Sequence, residues 1–524
     1  APAWKTGTGW VPHGVTTALN RTRRRTKAAD PGEPQQGSAS AFLTRRIPPY
    51  EMLDEEALCG LEDHADWLLS EIGIEIRGDP VALDLFRDAG ATVDGERLRF
   101  DRGHLRALCE TAPKTYTMHA RNPARSVEFG DNHLVFGGAY GPPFVSDLDG
   151  GRRYATIEDF CNFVKLTHQS PWLHHQSGTI CEPVDIPVNK RHLDMVYAHL
   201  RYGDQPFMGS VTAPERAQDS IAMAELVFGE SFMRDHLVIQ GNINVNSPLV
   251  YDHIMSGALR TYAAANQGNV ISSFVIAGAM SPVTQPALIA QCHAEVMVGI
   301  ALTQLVRPGA PVVYGAFLTT IDLKSGAPTF GTFESSLATF AIAQLARRVG
   351  IPFRCGGLLT ASKVVDAQAA QESINAMTCG VMAGANFIFQ AAGWLESGLT
   401  ISYEKFMVDT QQCGVMAGMI DGLSITDEQL ARDAYVESGI GNTFLGTAHT
   451  MRHYKTTNFM SELCDAAPFE QWSEQGAVDM QKRASESAKR VLAEYETPSM
   501  DEGINEALID FVARKKASME DAWY

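Results

Sequence analysis

The sequence predicts an α/β protein built on a (β/α)8 TIM barrel, and three observations carry that prediction. Eight short β-rich runs recur along the chain, each ending in Gly or small polar residues. Each is followed by a longer amphipathic segment of helical spacing. The eight units fill about 290 residues, whereas a doubly wound sheet usually has five or six strands.

The elements can be justified in chain order. Residues 1–40 read as a flexible basic arm and linker, closing in ADPGEPQQGSAS at 29–40. Arg21, Arg23, Arg24 and Arg25 stand there without an apolar run, which points away from a secretory signal. The basic stretch admits either a disordered arm or a mitochondrial-type presequence. Residues 41–125 are expected to form an N-terminal layer of helices and hairpins. Leu58, Leu61, Ala65, Leu68, Leu69 and Ile72 recur at helical spacing, and 80–89 repeats the pattern.

The barrel is assigned to 126–422. Its strand candidates are HLVFGGAY from 133, LHHQSGTI from 173, PFMGSVT from 206 and LVIQGNINV from 237. VISSFVIAGA from 270, VVYGAFLTT from 312, PFRCGGLL from 352 and FIFQAAGW from 387 complete the set. The intervening helices are expected at 156–168, 187–202, 214–228, 249–266, 286–306, 333–349, 367–383 and 403–421. Several are led by Pro or Thr at the first turn. Residues 423–524 should hold a polar loop and two amphipathic helices, at 470–495 and 500–521, packing on the barrel or on another subunit.

Composition narrows the function classes. The 61 acidic against 43 basic side chains give a net charge of −18, which argues against nucleic-acid or anionic-membrane partners. No stretch reaches 18 uninterrupted apolar residues. Nine scattered cysteines without CxxC spacing read as reduced thiols of a cytoplasmic protein.

Catalytic groups of such barrels lie at the C-terminal strand ends. Asn242, Asn244 and Asn246 alternate there and would share one face, either lining a polar wall or capping a turn. The sixth strand end, YGAFLTTIDLKSGAPTFGTFES, and the eighth, QAAGWLESG, bring Phe317, Phe330, Phe333, Glu334, Trp394 and Glu396 to one end with Tyr140. Aromatic faces with carboxylates suit an alkylammonium cation, although aromatics at strand ends more often serve core or rim packing. His449 and His453 in HTMRH have i, i+4 spacing, but the Glu of HExxH and a third ligand are missing, so no metal is assigned. GGLLTASK and GIGNTF fail the phosphate-loop orders. No nucleophile arrangement emerges, and no catalytic residue is assigned.

The stretches YGAFLTTIDLKSGAPTFGTFES, GIPFRCGGLLTASKVVDAQAAQES, AGANFIFQAAGWLESGLTISYEKFMVD and FLGTAHTMRHYKTTNF, in this order, resemble the trimethylamine:corrinoid methyltransferase family. The resemblance runs from about residue 40 to near the C-terminus. It implies a barrel that moves a methyl group from a methylated amine to the cobalt of a separate corrinoid protein, with no tightly bound cofactor of its own. Archaeal members carry pyrrolysine in the loop after the seventh strand, a position that falls at Leu359 here. A member without that electrophile resembles those acting on quaternary amines such as glycine betaine. A quaternary nitrogen is already charged, so expulsion of a neutral tertiary amine needs no further activation.

Such a donor asks for a cation cage, for which Tyr140, Phe317, Phe333 and Trp394 are the candidates, with Glu334 or Glu396 as counter-charge. Glu334 reads equally as a helix N-terminal charge. Arg354, Lys363 and His449 have the sign or donor for a substrate carboxylate. Two other readings stand beside this one: direct methyl transfer from an onium donor (betaine or sulfonium) to tetrahydrofolate, and a non-catalytic onium-binding protein. A homo-oligomer is expected.

Overall fold

The computed structural model describes residues 40–523. The expected basic arm, and with it either reading of Arg21 to Arg25, lies outside those residues apart from its last position. At the centre is a curled sheet with the strand order Leu43–Thr44, His133–Phe136, Phe387–Phe389, Phe353–Gly356, Val312–Ile321, Gly268–Ala277, Ile239–Asn244, Phe207–Met208. The first pair is antiparallel. Every later pair is parallel.

Seven of the eight β-rich runs are thus regular strands. The run from 173 lies between the two ends of the parallel set without becoming one. Gly137 bridges His175 in parallel. On the other side the Gln176 N–H donates to the Pro206 carbonyl and the Met208 N–H to the Ser177 carbonyl. The ladder breaks because Ser177 has φ +66° and its N–H is taken by His175 Nδ1 at 2.9 Å, a side-chain bond that competes with strand pairing.

Helices Ile157–Gln169, Arg191–Tyr202, Pro214–Phe228, His253–Ala264, Gln285–Val306, Phe333–Val349, Ala367–Met382 and Tyr403–Asp421 alternate with the strands. Their starts follow from local chemistry. Thr156 and Asp159 form a reciprocal cap, and Asp252, Thr332, Asp366 and Ser402 each accept a backbone N–H of the first turn. Gln285–Val306 is predominantly apolar, and among the described residues it is the helix long and apolar enough to cross a membrane. It is instead the central core helix, nearly all buried, between the sheet and the N-terminal layer that includes Glu55–Trp67 and His104–Cys109.

Alternation along the strands divides the core. Val135, Met208, Val270, Val313 and Phe387 point inward and, with Phe129 and Leu237, fill the lower interior of the curl. Their neighbours, such as Tyr314 and Ile388, point outward under the helices. After Asp421 the expected polar loop contains short helices at Asp427–Leu430, Arg432–Ser438 and Ala448–His453, and the single helix expected at 470–495 is instead broken by the positive φ of Gly476 and Ala477 into Phe469–Glu474 and Met480–Ala493. Helices of fewer than two turns leave no apolar period to read. Met480–Ala493 then packs along Tyr403–Asp421, and Glu502–Ala517 packs on Arg191–Tyr202 and Pro214–Phe228.

Gly331, between the Phe330 ring and the helix Phe333–Val349, has φ +63°, and a Cβ there would stand 2.3 Å from the Glu372 carbonyl oxygen. Gly331→Ala should therefore lower stability by about 2 kcal/mol or more. Chemical denaturation followed by circular dichroism checks this; an unchanged midpoint would refute it.

Candidate active site

Above the apolar lower interior the inward positions change character. Arg354 follows from the alternation that turns Cys355 outward against the helix Ala367–Met382, and it is buried. Its guanidinium lies 5.1 Å from the centre of the Phe389 ring and 5.5 Å from that of Phe317. Nη2 donates to Gln390 Oε1 at 2.8 Å, whereas the buried Nε–H meets no acceptor. Among the described residues no carboxylate pairs with it. Burial pulls its pKa down to about 10, with Cys355 and Tyr140 working the other way, so it remains a cation at neutral pH.

Aromatic rings continue from this charge in both directions. Phe389 meets Tyr140 at 5.1 Å. Phe317 meets Phe274 at 5.0 Å, Phe330 at 5.8 Å and Trp394 at 5.7 Å, and Phe330 meets Trp394 edge-on at 5.0 Å. Trp394 is buried with its Nε1–H unpaired. Leu359 is buried at the same end, its Cδ1 and the Phe317 ring both lying over Gly356. Burial, aided by the charge of Glu182, pushes the Tyr140 hydroxyl up to about 12, while Thr179 and Asn242 pull the other way. Ser272 Oγ donates to Asn242 Oδ1 at 2.6 Å and Asn242 Nδ2 to Asn244 Oδ1 at 3.3 Å, whereas Asn246 turns past the strand end to Asp252.

Of the residues expected in the site, Tyr140, Phe317, Arg354, Leu359 and Trp394 therefore stand together. Phe333 does not: it is the first residue of its helix and 70% exposed. Glu334 sits in that helix's first turn, where a carboxylate complements the helix dipole. Glu396 is paired with Arg152 at 2.7 Å and accepts from Thr400, so its charge is spent outside the wall. Lys363 is exposed. His449 lies in the C-terminal segment, bonded to the Glu428 carbonyl at 2.9 Å. Glu428 also supplies the third metal-type ligand that HTMRH lacks, since its carboxylate, His449 and His453 have ligand atoms within 4.8 Å of one another. That carboxylate is already bonded to His453 and Arg452. Phe389 and Gln390 were missed although both lie within FIFQAAGW; the inward parity of Phe387 and Phe389 was the available signal.

The loop GGLLTASKVVDAQ is held by polar bonds rather than presented as a reactive group. Thr360 Oγ1 donates to Glu372 Oε2 at 2.7 Å, and Ser362 Oγ to Asp366 Oδ1 at 2.9 Å while Asp366 caps the next helix. Beneath it is a buried ion pair. Lys405 Nζ reaches Asp409 Oδ2 at 2.6 Å and the Leu358 carbonyl at 3.4 Å, and Asp409 Oδ2 accepts the Gly393 N–H at 2.8 Å. One pair so joins the loops carrying Leu359 and Trp394. Burial raises the Asp409 carboxyl to about 6 against the opposing pull of Lys405 and the Gly393 N–H.

The sequence matches the family described as Trimethylamine methyltransferase (MTTB) over residues 19–520. It is 37% identical over 470 residues to the glycine betaine methyltransferase of Desulfitobacterium hafniense (strain Y51), covering 90% of this chain and 98% of that protein. It is 27% identical to the trimethylamine methyltransferase MttB of Desulfitobacterium hafniense (strain DSM 10664 / DCB-2), covering 87% and 92%. It is likewise 27% identical to the proline betaine:corrinoid methyltransferase of Eubacterium limosum, covering 84% and 92%.

Breaking the ion pair from one side leaves a buried charge without its partner. Lys405→Met and Asp409→Leu alone should each cost about 3 to 5 kcal/mol, and the double variant much less than their sum. Denaturant midpoints of the four proteins check the coupling; strictly additive losses would contradict it.

Proposed function

Because the chain belongs to the trimethylamine methyltransferase family, we propose that it is a methyltransferase moving a methyl group from a betaine-type quaternary amine to the Co(I) of a corrinoid carried by a separate protein. One observation carries the substrate class: the buried Arg354 guanidinium has no carboxylate partner among the described residues and stands beside a wall of aromatic rings. A zwitterion that couples a carboxylate to a quaternary ammonium answers both features. The closed (β/α)8 barrel is part of this reading, supported by the bonds of 174–177 to both of its neighbours. A cytoplasmic setting also belongs to it, supported by nine cysteines that are all free thiols.

In this mechanism Arg354 binds the carboxylate through its free Nε–H and neighbouring donors. The faces of Phe317, Trp394 and Tyr140 hold the methylated nitrogen in a setting poor in water. Fixing both ends of a short zwitterion orients one N–methyl bond toward the open strand ends, which converts an encounter into a positioned reaction. The corrinoid supplies the Co(I) nucleophile. The C–N bond breaks with its electron pair left on nitrogen, so the departing tertiary amine is neutral at nitrogen and requires no proton. Leu359 is consistent with this, since a donor that arrives charged asks for no electrophile from the loop.

The test is turnover of a panel of methylated amines with Co(I) corrinoid, read as the demethylated amine. Betaines should react, and trimethylamine should not. Absence of turnover on every quaternary amine would overturn the proposal, and product formed with tetrahydrofolate in the absence of corrinoid would redirect it. Arg354→Met should raise KM for a betaine about 30-fold or more, the equivalent of about 2 kcal/mol, while tetramethylammonium, which has no carboxylate, binds as before. Equal losses for both ligands would remove Arg354 from the carboxylate subsite.

A further inference from the structure

We infer that the segment 423–460 is a docking lobe for a second copy of this chain. The helix Tyr403–Asp421 starts at the strand-end loops of the site and runs to the opposite end of the sheet. There the Arg46 N–H donates to the Ile420 carbonyl, and the Arg45 N–H to the carbonyl of Asn132, just before the strand His133–Phe136. The lobe leaves from that end.

Two features set it apart. Among the described residues, every hydrogen bond and ion pair of 426–457 has both partners within the segment, including the cluster of Glu428, Arg452, His453 and Asp433 that ties its short helices together. Within 423–460 only Ala434 and Thr447 are buried. Meanwhile Leu423, Ile425, Tyr435, Val436, Ile440, Leu445 and Met460 all stand at least 66% exposed. An internally bonded lobe with that much uncovered apolar surface marks an interaction site.

The occupant follows from position and area. A corrinoid protein must address the strand ends where Arg354 and the rings lie, so it does not cover the opposite end. The seven side chains offer on the order of 800 Å², about what one partner contributes to a stable interface. Glu428, Asp433, Arg452 and His453 pair with one another inside the lobe, and the apolar side chains they leave outward suit a self-complementary contact between identical chains. This inference uses the location of the site but not its substrate.

Sedimentation of the full-length protein decides it independently of any methyl-transfer assay. The wild type should have at least twice the mass of one chain, and Val436→Asp/Ile440→Asp should sediment as a monomer with unchanged far-UV circular dichroism. Leu323→Asp, equally exposed but beyond the strand Val312–Ile321, should keep the wild-type mass. A monomeric wild type, or a double variant with the wild-type mass, would overturn the proposal. Should the double variant not fold, amide exchange of the wild type settles the matter. Strong protection of 432–451 supports the interface; exchange at solvent rates, or protection that appears only when a corrinoid protein is added, refutes it.

Discussion

A guanidinium inside a curled sheet, with no carboxylate to meet it among the described residues, is the constraint around which the upper interior is arranged. Removing an ion from water costs several kcal/mol even after relaxation. Each aromatic face returns about 0.5 to 2 kcal/mol, and Arg354 has two of them plus one bond to Gln390. The Nε–H remains unbonded, and an unmade bond in a buried site is costly. In the proposed reading, a bound carboxylate would supply the partner that the fold leaves open.

Keeping that charge in place depends on the surrounding shell. The inward parity of Phe387 and Phe389, set by strand pairing with Arg354 and Gly356, places a ring under the guanidinium. Phe317, paired with Phe274 on the neighbouring strand, places another beside it. Above them the loops have little regular structure of their own and are held by bonds from outside: Glu372 to Thr360, and Lys405 with Asp409 to Leu358 and Gly393. A buried ion pair adds little net stability against an apolar substitute, so its physical value here is geometric, joining two strand-end loops through one helix.

The same economy explains the leucine at 359. In the buried setting beside Phe317 an apolar side chain adds to the wall without adding chemistry. The reaction then rests on the charge state of the donor and on orientation, which a rigid aromatic and guanidinium frame can provide.

Much of the architecture was legible along the chain because strands and helices write their periods locally: seven of eight β-rich runs, and all eight helices between them, lie where alternation and caps placed them. The exception at 173–178 reflects a side-chain bond and a positive φ that no pattern of hydrophobicity records. Site residues on strands or tight turns, such as Arg354, Phe317 and Trp394, were also legible, since parity and strand-end position are local properties. Partnership was not. Whether Glu396 faces a ligand or Arg152, whether Arg354 finds a carboxylate, whether HTMRH finds Glu428, and whether the apolar residues after 422 are covered all depend on groups far apart in sequence. The sequence by itself determined the order of elements and the chemical types at the strand ends. Only the tertiary structure decided which charges are neutralised and which are left waiting, because compensation is a matter of distances between segments that the chain order does not specify.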